Sequence, residues 1–200
     1  TTVAYDQWED GYESNLNLPT QASTKVWIYS GGTWYNDANK DGAVNAGDTA
    51  LVSGTGGITI NGQTLTLTNA VNPTSPATVD FDGRDKIGSS KAVSVTRAGW
   101  SDTPGTVLAG AVSVIDSGNL GKVYVMPIGQ NVVTAASDVA TSRLFEYTSV
   151  DIIATADNTT VTIDKDGNGT TDITVVLNEG QTYMVNGGIL AGAIISADKN

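Results

Sequence analysis

Two short stretches carry oxygen side chains at the spacing that gathers a hard cation. In the first, Asp164, Asp166, Asn168 and Asp172 fall at loop positions 1, 3, 5 and 9, with Gly169 at 6. Thr170, at position 7, would add its backbone carbonyl. In the second, Asp37, Asn39, Asp41, Asn45 and Asp48 fall at positions 1, 3, 5, 9 and 12. Gly42 stands at 6 for a sharp turn, Ala43 offers a carbonyl at 7, and Val44 at 8 is an apolar anchor. Calcium takes several oxygen ligands at about 2.3–2.6 Å, and alternate residues of a tight loop can converge on one such point. Each loop gathers three carboxylates, which repel one another unless a cation lies between them. Ca²⁺ at both loops is therefore the expected cofactor. For residues 164–172 the competing reading is a polar Asp/Gly-rich turn that binds nothing.

A third acidic group lies at the start of the chain. Tyr5-Asp6-Gln7-Trp8-Glu9-Asp10-Gly11-Tyr12-Glu13 interleaves four carboxylates with three aromatic rings. Strand alternation would put Asp6, Trp8, Asp10 and Tyr12 on one face until Gly11 breaks the register. Asp6, Glu9, Asp10 and Glu13 are thus further metal or sugar candidates. As a glycosidase pair, two of them would have to stand about 5–9.5 Å apart beside an aromatic platform. A solvated strand edge followed by a turn is the plainer reading.

Composition narrows the chemistry. The 200 residues include neither cysteine nor histidine. A disulfide frame and a zinc–thiolate site are excluded, as is the usual general base of serine hydrolases. The expectation is a protein without catalytic activity. A formal net charge of −11 argues against a nucleic-acid partner, because phosphate binding needs a basic patch. The apolar run near Ile189 to Ile195 is far too short to span a bilayer. A start at Thr-Thr, with no charged and apolar leader, reads as a processed or excised piece.

The elements that must position these loops read as strands. Valine, isoleucine and threonine are abundant, 23 residues are glycine, and long amphipathic helical patterns are missing. Thr160–Ile163 and Ile173–Leu177 alternate with period 2 and bracket the 164–172 loop as a hairpin. Thr24–Ser30 is a strand ended by Gly31-Gly32, and Ile58–Leu67 is a hairpin with an Asn61-Gly62 turn. Ala92–Val95 and Val107–Ile115 read as buried strands, and Val123–Met126 as a strand cut by Pro127, which either lies at an edge or ends there. Val139–Tyr147 reads as a strand, Pro73 and Pro76 mark a loop, and Arg84 and Lys86 read as ion-pairing partners within a mixed-charge turn. Val150–Ala156 leads into the calcium hairpin, and Asn178-Glu179-Gly180 turns the chain into Gln181–Val185. The fold class expected is all-β, β-sandwich or jelly-roll-like, with calcium-binding loops. It would form one domain over 1–200 or two packed β subdomains divided near 101–106.

Two resemblances add to this reading. Residues 37–52, Asp-x-Asn-x-Asp-Gly-x-Val-Asn-x-x-Asp-x-Ala-Leu-Val, resemble the calcium loop of dockerins. Dockerins continue into a long helix, which Ser53-Gly54-Thr55-Gly56-Gly57 would end here, so the resemblance implies the metal and not the partner. More widely, Trp-Glu-Asp-Gly-Tyr-Glu (8–13), Asp-Gly-Arg-Asp-Lys-Ile (82–87), Val-Thr-Arg-Ala-Gly-Trp (95–100), Asp-Asn-Thr-Thr-Val-Thr-Ile-Asp (157–164) and Leu-Asn-Glu-Gly-Gln-Thr-Tyr (177–183) resemble a module of large secreted bacterial surface proteins. The C-terminal half is similar to the N-terminal domain of IgGFc-binding proteins. That implies an extracellular, cell-surface location and an adhesive or scaffolding role, as in an adhesin, surface layer or filament. The partners would be other copies of the chain or neighbouring domains, joined through β-edges. In such modules the last motif continues into another strand, so the segment ending at Asn200 reads as unfinished and, with the Thr1–Thr24 segment, as the pairing edge. The alternative is a carbohydrate-binding module or glycosidase built on the N-terminal cluster.

Overall fold

Alternating Val, Ile, Thr and aromatic residues, punctuated by glycine, produce an all-β chain of sandwich-like build. The computed structural model describes residues 1–8, 10–68, 81, 84–99, 110–130 and 148–200. The Val139–Tyr147 strand, the Pro73/Pro76 loop and the 101–106 division expected from the sequence lie outside the described residues. The chain forms two compact units, Thr1–Ser94 and Val95–Asn200.

In the first unit a five-stranded antiparallel sheet has the order β4-β3-β2-β1-β7. Its strands are β1 (Thr2–Asp6), β2 (Lys25–Ser30), β3 (Thr33–Asn36), β4 (Thr49–Ala50) and β7 (Lys86–Ser89). Tyr5, Trp27 and Trp34 are buried on one face against Ile58, Ile60, Leu65 and Leu67. Those four residues belong to the β5 (Ile58–Asn61) and β6 (Thr64–Leu67) hairpin, which forms the second layer. Val26 and Ile28 are buried as well, so β2 is covered on both faces. Leu16 lies so close to Gly88 that a side-chain carbon there would sit 3.0 Å from it.

The β5–β6 turn falls one residue later than its Asn-Gly pair suggests. Asn61 pairs with Thr64, leaving Gly62 and Gln63 as the two central residues. Gly62 has φ +57°, which places glycine first, as in a II′ turn. Pairing Ile58 with Leu67 and Ile60 with Leu65 keeps all four on the buried face, and that decides the register.

The second unit packs a four-stranded sheet, order β10-β15-β12-β13, against a two-stranded ribbon. The sheet consists of β10 (Val123–Val125), β12 (Thr159–Asp164), β13 (Ile173–Leu177) and β15 (Ile194–Ala197). The ribbon joins β11 (Val150–Ile153) to β14 (Thr182–Val185). Val161, Ile163, Leu177, Val185, Ile189, Ala193 and Ile195 form its core, with Thr162, Thr174 and Val176 on the alternate face. Among the described strands β10, which precedes Pro127, lies at the edge of its sheet, one of the two readings the proline allowed.

Two strand expectations need correction. The segments expected as buried strands at 92–95 and 107–115 are instead β8 (Thr96–Gly99) and β9 (Gly110–Ser113), and all eight residues are exposed. Gly99, Gly110, Ala98 and Ala111 bring little apolar area to bury, so β propensity there reports pairing and not core position. The last strand is also not an unfinished edge. β15 is hydrogen-bonded on both sides, to β10 and to β12, and β1 likewise lies between β2 and β7. Among the described residues the outer strands of the two sheets are β4 and β7, and β10 and β13.

Candidate metal centre

The hairpin between β12 and β13 carries the clearest site. Ile163 pairs with Ile173, so residues 164–172 are held as a closed loop. Asp164, buried at the end of β12, accepts three backbone N–H groups. Gly167 (2.8 Å) and Asn168 (3.2 Å) donate to Oδ1, and Gly169 (2.7 Å) donates to Oδ2. Burial pushes the Asp164 carboxyl up, but the Gly169 N–H, the side-chain link to Asp166 and the Gly167 and Asn168 N–H groups outweigh it. The net direction is below the ordinary aspartate value. Asn168 donates its side-chain amide to Asp166 Oδ2 (2.9 Å) and accepts Thr170 N–H (2.8 Å). The Lys165 N–H donates to Asp172 Oδ2 (2.7 Å) and turns that carboxylate back into the loop.

The result is a cluster of carboxylate oxygens from Asp164, Asp166 and Asp172, all within 4.8 Å of one another. Two oxygens bound to one cation at about 2.3–2.6 Å can stand no further apart than roughly 5 Å. The spacing therefore fits a single metal ion. It is the one such group of three carboxylates among the described residues.

Gly167, at loop position 4, is a requirement the spacing rule did not reveal. Its φ is +69°, and a side-chain carbon there would lie 2.4 Å from the Gly192 carbonyl oxygen. The loop rests directly on the 190–193 turn, where Leu190 N–H donates to the Lys165 carbonyl (2.9 Å). A second glycine in the loop was the signal available in the sequence.

The 37–48 loop is arranged differently. Asp37, only 2% exposed at the end of β3, accepts Gly42 N–H on Oδ2 (2.8 Å), so its carboxylate faces into the loop. Its Oδ1 is buried without a hydrogen-bond partner. Asp48 closes the loop by accepting Ala38 N–H (3.0 Å) and Asn45 N–H (2.9 Å). Asp41 accepts the Ala43 N–H (2.8 Å) and side-chain amides of Asn39 and Asn45. These, with the Ala43 bond the strongest, hold its carboxyl below the ordinary value against the effect of burial. The expected convergence of Asp37, Asp41 and Asp48 is thus not reproduced as a three-carboxylate cluster. What converges is Asn39 Oδ1, Asp41 Oδ2 and the Ala43 carbonyl, at 3.4, 3.0 and 3.3 Å from the amide nitrogen of Asn45.

The described N-terminal acids do not line one strand face. β1 ends at Asp6 and the chain then turns, with Gly11 N–H donating to the Trp8 carbonyl, so no strand face extends to Tyr12. Asp6 is wholly buried and accepts Glu13 N–H (2.7 Å) and the Thr24 hydroxyl (3.1 Å). Glu13, also buried, accepts Thr20 N–H and Gln21 N–H, both at 2.7 Å. Asp10 is exposed, and Glu9 lies outside the described residues. Arg84 and Lys86, expected as ion-pairing groups of their turn, also lie over the Trp8 and Tyr12 rings at 3.3 and 4.5 Å, and the Lys86 charge acts on Asp6. The rings give the cations a face to stack on, which the charge pattern could not indicate.

Opposite pH responses follow for the two buried acids. Burial raises the Asp6 carboxyl despite its donors, so its contribution is present at low pH and is lost as pH rises through its folded value. The Gln21 and Thr20 N–H groups lower Glu13, so its contribution is present above 4.5 and is lost as pH falls through its folded value. In the chelator-treated protein Glu13 therefore contributes a decline of the urea midpoint below about pH 4.5, which Asp6 opposes. Glu13→Gln should flatten that decline, and superposable pH profiles would remove Glu13 as the clamp of the 13–21 turn.

In comparisons with known proteins, no family model, no curated protein and no solved structure matches this chain.

Proposed function

We propose that this chain is a calcium-stapled, extracellular structural or adhesive module of a surface protein or self-assembling filament, acting without catalysis. The observation that carries the reading is the cluster of Asp164, Asp166 and Asp172 oxygens at cation spacing. The buried, unpartnered oxygen of Asp37 supports a second ion at the other loop. Both donor sets consist of oxygen alone, with neither imidazole nor thiolate in the chain to favour a transition metal. Calcium suits flexible, oxygen-rich loops better than magnesium, which demands near-ideal octahedral geometry.

The structural role draws support from the acids themselves. Asp6 and Glu13 hold backbone N–H groups within the fold, and Arg84 covers the Trp8 ring that a sugar platform would need. The resemblance to secreted surface modules supports the extracellular location. Among the described residues no helix is long and apolar enough to cross a membrane. Association would use peripheral strands. Among the described residues no strand pairs with the outer side of β10, where Val123, Tyr124 and Val125 are all exposed.

Calorimetric titration of the chelator-stripped full chain with calcium chloride tests the cofactor. Two calcium ions per chain are expected, and an absence of binding heat together with unchanged melting would end this reading.

A further inference from the structure

We infer that the side-chain amide of Asn45 is a built-in stand-in for the cation of the 37–48 loop, and that calcium enters that loop by displacing it. The inference rests on the calcium reading and adds which group calcium must displace at this one site.

The Asn45 amide nitrogen is hydrogen-bonded to Asp41 Oδ2 (3.0 Å), the Ala43 carbonyl (3.3 Å) and Asn39 Oδ1 (3.4 Å). These are the oxygens of loop positions 5, 7 and 3, the ones a calcium ion would draw together. The orientation of the amide is fixed by its other end, because Gly47 N–H donates to Asn45 Oδ1 at 3.2 Å. An NH₂ group has two hydrogens for three acceptors and carries no full charge, so it gathers the oxygens without neutralising Asp41.

Asp37 gives the independent sign that this seat is made for more than an amide. Its Oδ1 is buried and unpartnered while Oδ2 is engaged by Gly42 inside the loop. A buried carboxylate oxygen without a donor is costly, and a cation would satisfy it directly. The 164–172 loop has no equivalent device. Its position-5 amide, Asn168, donates to Asp166 alone, and the three carboxylates, each held by backbone N–H groups, already stand within 4.8 Å of one another. Calcium binding at 37–48 therefore exchanges one set of partners for another, whereas the 164–172 oxygens are already gathered.

The test follows the side-chain NH₂ signals of the isotopically labelled full chain during calcium titration, with Asn45→Ser identifying the Asn45 pair. Asn45→Ser removes the stand-in and keeps an oxygen at position 9 without adding charge. In chelator it should lower the melting temperature by about 4–8 °C, the shift expected from losing one hydrogen-bonded side chain in a small domain. With calcium the variant and the parent should melt together, and the Asn45 pair of the parent should leave its hydrogen-bonded position as calcium binds. Equal losses with and without calcium, or unmoved Asn45 signals while two ions bind, would overturn the displacement alone. One ion per chain, retained in Asp41→Ala, would overturn the calcium reading of this loop and the displacement with it.

Discussion

Chelation is expected to lower the melting temperature of the full chain by many degrees and to open both acidic loops to proteases. Asp37, Asp41 and Asp48 bring three negative charges to one loop, and Asp164, Asp166 and Asp172 bring three to the other. A ligand present at about 100 times its dissociation constant stabilises the native state by roughly 2.7 kcal/mol per site. Two filled sites would contribute about 5 kcal/mol, comparable to the whole stability of a marginal domain. Cutting should become local to each loop. Asp41→Ala is expected to expose residues 37–48, and Asp166→Ala residues 164–172, each removing part of the calcium-dependent shift. The double variant should remove nearly all of it. Melting curves that coincide with and without chelator would eliminate calcium as the element holding these loops.

Removing residues 189–200 is expected to abolish cooperative folding of the 95–200 unit, not merely its association with other copies. β15 supplies hydrogen bonds to β10 on one side and to β12 on the other. Ile189 and Ala193 are fully buried and Ile195 is 6% exposed. Truncating a buried isoleucine to alanine already costs about 2–5 kcal/mol. Losing two of them is about 4–10 kcal/mol before either ladder is counted, comparable to the roughly 5–15 kcal/mol by which a domain is stable. The truncated chain should lack a cooperative melt in circular dichroism and accumulate in the insoluble fraction. Ile189→Ala should fold, with its urea midpoint reduced. A soluble, cooperatively melting truncation product would mean that β15 is peripheral in solution.

The division between what the residues announce and what the fold decides runs through each loop. Period-2 alternation fixed the all-β class and the 159–177 hairpin, because a strand with one buried face must alternate. Oxygen-bearing residues at alternate positions, with glycine at the sharp turn, likewise marked both acidic loops. Spacing along the chain could not say which oxygens would meet. Asp164, Asp166 and Asp172 converge because the Ile163–Ile173 pairing closes the loop and the 190–193 turn supports it from below. In the other loop Asn45 draws in Asn39, Asp41 and Ala43, while Asp48 turns to backbone N–H groups. The burial of Asp6 and Glu13 was equally invisible, since their partners at Thr24, Thr20 and Gln21 come from a later part of the chain. Strand order was the largest gap. Alternation shows that a strand has a neighbour but not which one, so only the tertiary structure could place the last strand in the middle of its sheet.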